Sequence, residues 1–262
     1  MSAMWLRVAA VFEKVFKEFI RDRSSLFWTI AWPALWVVLS CLIFTQGIPE
    51  AILPKVKASM TLQMMGFALM LAGMANLPAS IAGDRERGVY RKFASTPMRA
   101  WEDALGRLLA LLLFSLISSL IVLAVGLALG SRYEVTVVAI VEAVGVSFLL
   151  LLASGGIGLI IGSIAGRERS ATSIGVGVSV ITSAISGVFA PYQYLPKGLK
   201  LFSKYYPPST SISALIYLLL GRRYAGYNPL TRLHTPYIIT SSLLLFVIGL
   251  IFYRLRLWSQ RL

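Results

Sequence analysis

The chain has 262 residues, 57% of them hydrophobic, a mean hydropathy of +0.77 and only 14% charged residues, a balance that excludes an ordinary soluble globular domain and fits a polytopic membrane protein. The formal net charge of +14 would direct a soluble chain toward nucleic acid, but here Lys and Arg serve to anchor loops against anionic headgroups, so the expected contacts are membrane lipids and no nucleic acid. A single cysteine, Cys41, excludes an internal disulfide, and a single histidine, His234, leaves little for a metal centre; none is expected.

Residues 1–25 place Trp5, Val8, Phe12, Val15, Phe16 and Phe19 at helical spacing, with Glu13, Lys14, Lys17, Glu18 and Arg21 on other faces. This predicts an amphipathic helix, either lying in the membrane interface or packed on the protein's own cytoplasmic side. Charge interrupts it every few residues and no cleavage site follows an apolar core, so it does not read as a cleavable signal peptide. Residues 26–262 then read as a six-helix transmembrane domain. About 20 apolar residues are needed per crossing, and the spans fall near 26–46, 58–83, 108–131, 135–166, 170–194 and 233–253. Pro33 and Pro78 are expected to kink the first and second. Small residues at every fourth position, Ala171 to Gly187 in the fifth and Gly158 to Gly166 in the fourth, predict close helix contacts, within the chain in preference to a dimer. Residues 195–221 are aromatic, basic and proline-broken, then apolar over too short a run, which predicts a re-entrant or interfacial segment on the outer side.

Six crossings put both termini on one side. With the N-terminus in the cytoplasm, the inner segments hold most of the 25 basic residues and the two short outer loops hold only Lys55, Lys57 and Arg132. The long outer loop after the fifth span runs against this rule, but long loops count for less. The expected architecture is all-α, N-in and C-in.

Between the second and third spans lies a stretch dense in both signs of charge. Val89, Tyr90, Phe93 and Ala94 share one apolar face of a short helix, with Arg87, Arg91, Asp84 and Glu86 elsewhere. Thr96-Pro97 reads as an N-cap followed by proline at the first position of the next helix. Orientation needs only positive charge, so interleaved carboxylates imply specific pairing, either among themselves in water or with a soluble partner.

These residues carry a resemblance. Asp84-Arg85-Glu86-Arg87-Gly88, Ala94-Ser95-Thr96-Pro97, Trp101 and Leu105-Gly106-Arg107 resemble the coupling-helix region of ABC transporter permeases of the type-2 exporter family. Ser186 to Pro191, Tyr194 to Lys197 and Tyr206 to Thr210 resemble its outer hairpin after the fifth span. Asp84 stands where the family often has Glu, and Pro207-Pro208 doubles a usual single proline. The resemblance implies a cytoplasmic coupling helix at 84–96, with Asp84, Arg85, Glu86, Arg87, Gly88, Tyr90, Arg91, Phe93 and Pro97 meeting a separate ATPase. It also implies a second permease copy, a homodimer before a heterodimer, and export of an amphiphilic drug, lipid or lipid-linked glycan across the plasma membrane of a prokaryote. The chain has no phosphate loop, so it is expected to bind no cofactor; ATP and Mg would belong to the partner.

Glu142, Asn76 and Gln63 are the remaining polar candidates, for an intramembrane substrate path. The plainer readings are headgroup contact for Glu142 and helix-to-helix hydrogen bonding for the other two. Lys197, Lys200 and Lys204 could attract an anionic lipid or glycolipid, or simply lie against headgroups. An ion-coupled secondary transporter would need more buried ionisable groups and often an internal repeat, and a lipid-modifying enzyme would need a catalytic cluster. The sequence offers neither, and no catalytic residue is assigned.

Overall fold

The structure, a computed structural model of the chain, describes residues 3–133, 135–189 and 192–258. Ala190, Pro191 and Arg261 lie outside the described residues. Among the described residues the regular elements are helices: α1 Ala3–Arg21, α2 Arg23–Ile43, α3 Leu53–Glu86, α4 Val89–Ala94, α5 Ala100–Ala128, α6 Val137–Ile164, α7 Glu168–Ser186, α8 Lys197–Tyr205, α9 Pro207–Leu220, α10 Arg222–Ala225 and α11 His234–Trp258, with a single 3-10 turn at Tyr192–Tyr194. Among the described residues five of them, α2, α3, α5, α6 and α11, are long and apolar enough to cross a membrane. The chain is a helical membrane protein.

The expected fifth span, 170–194, corresponds to α7, whose 19 residues suffice in length but are diluted by Ser, Thr and Gly. It stops at Ser186, well before Tyr194, because Gly187 takes the left-handed conformation (φ 87°) that ends helices.

Both expected proline kinks take the same form. Proline removes an amide donor and clashes with the carbonyl four residues back. Here Phe27–Ala31 precedes Pro33 and Ala72–Asn76 precedes Pro78, each wound as a π-turn that widens the helix where the bond would be lost. The two π-turns face one another: Asn76 Nδ2 donates to Thr29 Oγ1 at 2.8 Å, and Ser118 Oγ of α5 donates to the Thr29 carbonyl at 2.5 Å.

The central column is α3. Its most apolar stretch is 94% buried, against 22% to 39% for the other crossing helices, and it packs on α2, α5, α6, α7 and α9. The small-residue faces serve this contact. A Cβ on Gly175 of α7 would lie 1.9 Å from the Met74 carbonyl oxygen, and one on Gly158 of α6 would lie 1.9 Å from that of Gly73. Both faces therefore pack within the chain, as expected.

The amphipathic α1 lies along α5. Val8, Val11, Val15 and Phe19 are buried there, each contributing about 1.5–3 kcal/mol by burial. Gly106 makes room, since a Cβ at that position would meet the Val8 carbonyl oxygen at 2.8 Å. At the far end of the bundle α8 and α9 form a hairpin folded back against α7. Ser203 and Ser209 hydroxyls both donate to the Ser186 carbonyl, at 2.6 and 3.0 Å. The Tyr206 hydroxyl at the turn donates to Thr182 Oγ1 at 3.4 Å, one helical turn deeper. Pro207 and Pro208 occupy the first two positions of α9, where a missing amide costs nothing, which accommodates the doubled proline.

Candidate functional site

The charged stretch does not form one helix over 84–96. Asp84, Arg85 and Glu86 are the last turn of α3, which ends as Gly88 swings to φ 70°; α4 begins at Val89. Nor does Thr96-Pro97 start α5. The Ser95 and Thr96 hydroxyls donate back to the Lys92 and Phe93 carbonyls at 2.8 and 2.9 Å, closing α4. The cap of α5 is Arg99, whose amide donates to Glu102 Oε2 at 2.9 Å, the reciprocal bond of a capping box. Glu102 is also gripped by Arg7 through two bonds of 2.9 and 2.7 Å, which pins α1 to the start of α5.

Beneath α4 lies a buried ion cluster. Arg107 of α5 is wholly inaccessible, and its guanidinium donates to Asp103 at 2.9 Å, Ser80 at 2.8 Å and Asp84 at 2.5 Å. Asp84 and Asp103 are equally inaccessible. Lys14 of α1 completes Asp84, and the Tyr253 hydroxyl of α11 donates to Asp103. Two buried carboxylates thus share the buried Arg107, and the partly exposed Lys14 and Arg87 reach Asp84 from the cluster's edge. Charge can be sunk this deep only when paired and hydrogen-bonded on several sides. Tyr90 of α4 sits on the cluster: its hydroxyl lies 3.1 Å from that of Tyr253, and the Arg107 guanidinium lies 5.9 Å from its ring centre. Burial pushes the Tyr90 hydroxyl well above its ordinary pKa, so it stays protonated. Phe93 stacks on Trp258, with ring centres 6.0 Å apart.

A second, surface layer joins α3 to its neighbours. Arg87 bridges Glu18 and Glu168, both at 3.1 Å, and Asp84 at 3.3 Å. Burial pulls its guanidinium down, but the hydrogen bond to Asp84 and the charges of Glu18, Asp84 and Glu168 outweigh this and hold it above its ordinary value. Glu86 accepts from the Glu168 amide at 3.1 Å, placing a carboxylate at the start of α7. Arg85 reaches the Ser163 carbonyl near the end of α6 at 3.4 Å.

Of the nine residues expected to meet a partner, Asp84 is buried, and Tyr90 and Phe93 turn inward. Arg85, Glu86 and Arg87 before the turn at Gly88, and Arg91 and Pro97 after it, remain exposed. Sequence reading missed Asp103, Glu102, Tyr253 and Glu168 as structural partners. One signal was available: Asp103 and Arg107 stand four apart at the entry to an apolar run, where a paired charge faces inward.

Gln63, Asn76 and Glu142 are not brought together. Asn76 is spent on Thr29. Gln63 lies 13 residues away on the same helix, roughly 20 Å along its axis, facing Ser209 and Ser213 of α9. Glu142 lies on the exposed face of α6 among Val138, Val141 and Val144. A cleft of about 1030 Å³ opens between α2 and α7, lined by Trp28, Val176 and Val180 together with Asp22, Glu86, Arg167, Glu168 and Arg169. Among the described residues no group of His, Cys, Asp and Glu could hold a metal ion.

A bundle of apolar helices with a charged, internally braced end marks an integral membrane protein. The chain belongs to the ABC-2 type transporter family, whose match covers residues 7–220. It is a membrane permease component of an ABC transporter, not itself an ATPase, and the family implies an ABC ATPase partner. No curated protein matches the chain.

Proposed function

We propose that this chain is the permease half of an ATP-driven exporter, in which α4 is the coupling helix. The observation that carries the reading is the two-sided character of α4. Its inner residues, Tyr90 and Phe93, are fixed to α11 and to the buried cluster of α3 and α5, while Arg91 and Lys92 face outward. A push on α4 is thereby delivered to three spans as a rigid body. In this reading α7 is the fifth of six spans, both termini and α4 are cytoplasmic, and α8–α9 re-enters from the outer side. Two copies, identical before non-identical, pair with two ATPase chains that hold ATP and Mg. The cleft between α2 and α7, lined by both apolar and charged side chains, supports an amphiphilic substrate drawn from the cytoplasm or inner leaflet. The plasma membrane of a prokaryote is the proposed location.

The test is copurification. The tagged chain is extracted from its native membranes in mild detergent, beside an Arg91→Glu/Lys92→Glu variant. Both residues are exposed, so the variant keeps its fold. An ATPase with a phosphate loop should accompany the wild type and be depleted at least about tenfold from the variant, the equivalent of 1.4 kcal/mol. Equal recovery from both would remove α4 from the contact.

A further inference from the structure

Residues 169–262 contain no Asp or Glu, yet the segment between α7 and α11 holds Lys197, Lys200, Lys204, Arg222, Arg223 and Arg232. Among the described residues none of these six joins an ion pair. They lie at the end of the bundle remote from α4, which the topology proposed above puts on the outer side, where cations are disfavoured. Among the described residues no carboxylate pairs with these six cations, which leaves them to water or to anions from outside the chain.

The structure arranges some of them with care. Tyr192 and Tyr227 pack against each other with rings tilted by 43° and centres 4.7 Å apart. Gly226, at φ 82°, lets the loop close on them, since a Cβ there would lie 2.7 Å from the Tyr192 ring. The Lys200 ammonium sits 5.9 Å from the centre of Tyr192, and that of Lys204 sits 5.5 Å from the centre of Tyr227. Gln193 donates to the Arg223 carbonyl at 2.7 Å, which fixes α10 beside the pair. Lys197 and Lys204 differ by seven residues, about 10 Å along α8, so the cations are spread along one helix. Their long stems carry the ammonium groups back outward. Exposed Tyr194 (81%), Leu201 (60%) and Leu233 (84%) alternate with them. A dock for a hydrated polyanion would not present these apolar side chains; a bilayer interface would.

We infer that Lys200 and Lys204 on the Tyr192–Tyr227 platform, flanked by Arg222 and Arg223, bind the phosphate of an anionic phospholipid. The inference rests on the chain's being a membrane protein and not on the ATPase coupling proposed above.

The test uses the full chain reconstituted in phosphatidylcholine vesicles, with trace spin-labelled phosphatidylglycerol or phosphatidylcholine as probe. The fraction of immobilised label gives the relative association constant. The wild type should favour phosphatidylglycerol, and Lys200→Gln/Lys204→Gln should cut that preference at least about threefold. Lys200→Arg/Lys204→Arg should retain it, and Arg91→Gln/Lys92→Gln at the opposite end should lower it far less. Arg222→Gln/Arg223→Gln alters only exposed side chains and must move the preference in the same direction as the lysine variant. An unchanged preference in both neutralised variants overturns the site. Displacement of the lipid by millimolar inorganic phosphate would assign the site to free anions and overturn the lipid assignment. The vesicles contain no ATPase, so failure of the coupling proposal leaves this result standing.

Discussion

Replacing Arg107 by Met tests the buried cluster most directly. The substitution keeps the length of the side chain and removes its charge. Asp84 and Asp103 would stay inaccessible; Asp84 would keep only the partly exposed Lys14 and Arg87, and Asp103 would lose the cation it pairs with. Stranding a buried charge by deleting its partner typically costs about 3–5 kcal/mol. For a chain of this size that corresponds to a fall in melting temperature of roughly 6–20 °C. Lys14→Met removes a cation from the same carboxylate, but Lys14 is 35% exposed, so solvent already screens it. Its loss should cost no more than about 1 kcal/mol, or about 4 °C. The triple variant Asp84→Asn/Asp103→Asn/Arg107→Met leaves no buried charge in the cluster and should recover most of the stability, with Lys14 free to turn to Glu18, 3.5 Å away. The assay is thermal unfolding of the purified chain in one detergent, followed by tryptophan fluorescence at a fixed scan rate. The reasoning fails if Arg107→Met melts no lower than Lys14→Met, or if the triple variant melts lower than Arg107→Met alone.

Other outcomes follow from single positions. Gly158→Ala should lower the yield of folded protein and destabilise it by about 1–3 kcal/mol or more, because the new methyl meets a backbone oxygen; Gly177→Ala, with open space around it, should be neutral or mildly stabilising in the same melting assay. Gly88→Ala faces open space but forces a left-handed backbone, so it should cost about 1 kcal/mol and, in the exporter reading, lower substrate-stimulated ATP hydrolysis more than it lowers stability; Gly88→Asn should be milder in both. Tyr253→Phe removes the hydroxyl donated to Asp103 and should cost about 1–3 kcal/mol, while Tyr237→Phe, on the same helix but half-exposed, should cost less.

The membrane frame was legible because a soluble fold seldom builds an uncharged apolar run of about 20 residues, whereas a bilayer crossing requires one. The small-residue faces were legible for a similar reason: only a close backbone approach rewards Gly175 or Gly158 at those positions. The charged stretch was misread in detail. A carboxylate in a loop-like context looks solvated, and nothing near Asp84 in sequence announces that Arg107 and Lys14 will enclose it. Helix boundaries failed where a side chain several residues on made the decision. Glu102 caps its own helix from inside and moves the start past Pro97. Gly187 ends α7 although apolar residues continue beyond it. The Tyr192–Tyr227 platform joins segments 35 residues apart and left no periodic trace.

The π-turn at Ala72–Asn76 has a consequence for what lies beyond it. Successive α-helical residues are about 100° apart around the axis, and a π-turn absorbs roughly one residue without advancing that rotation. The half of α3 beyond the bulge therefore keeps the facing it would have if one residue were missing. Deleting a residue there while the helix reverted to regular winding would leave Asp84 aimed at Arg107. Straightening the bulge at full length would turn residues 77–86 by about 100° and carry the carboxylate out of its nest. The bulge sets the angular phase between the two ends of the protein's central column, far from any charge it aims.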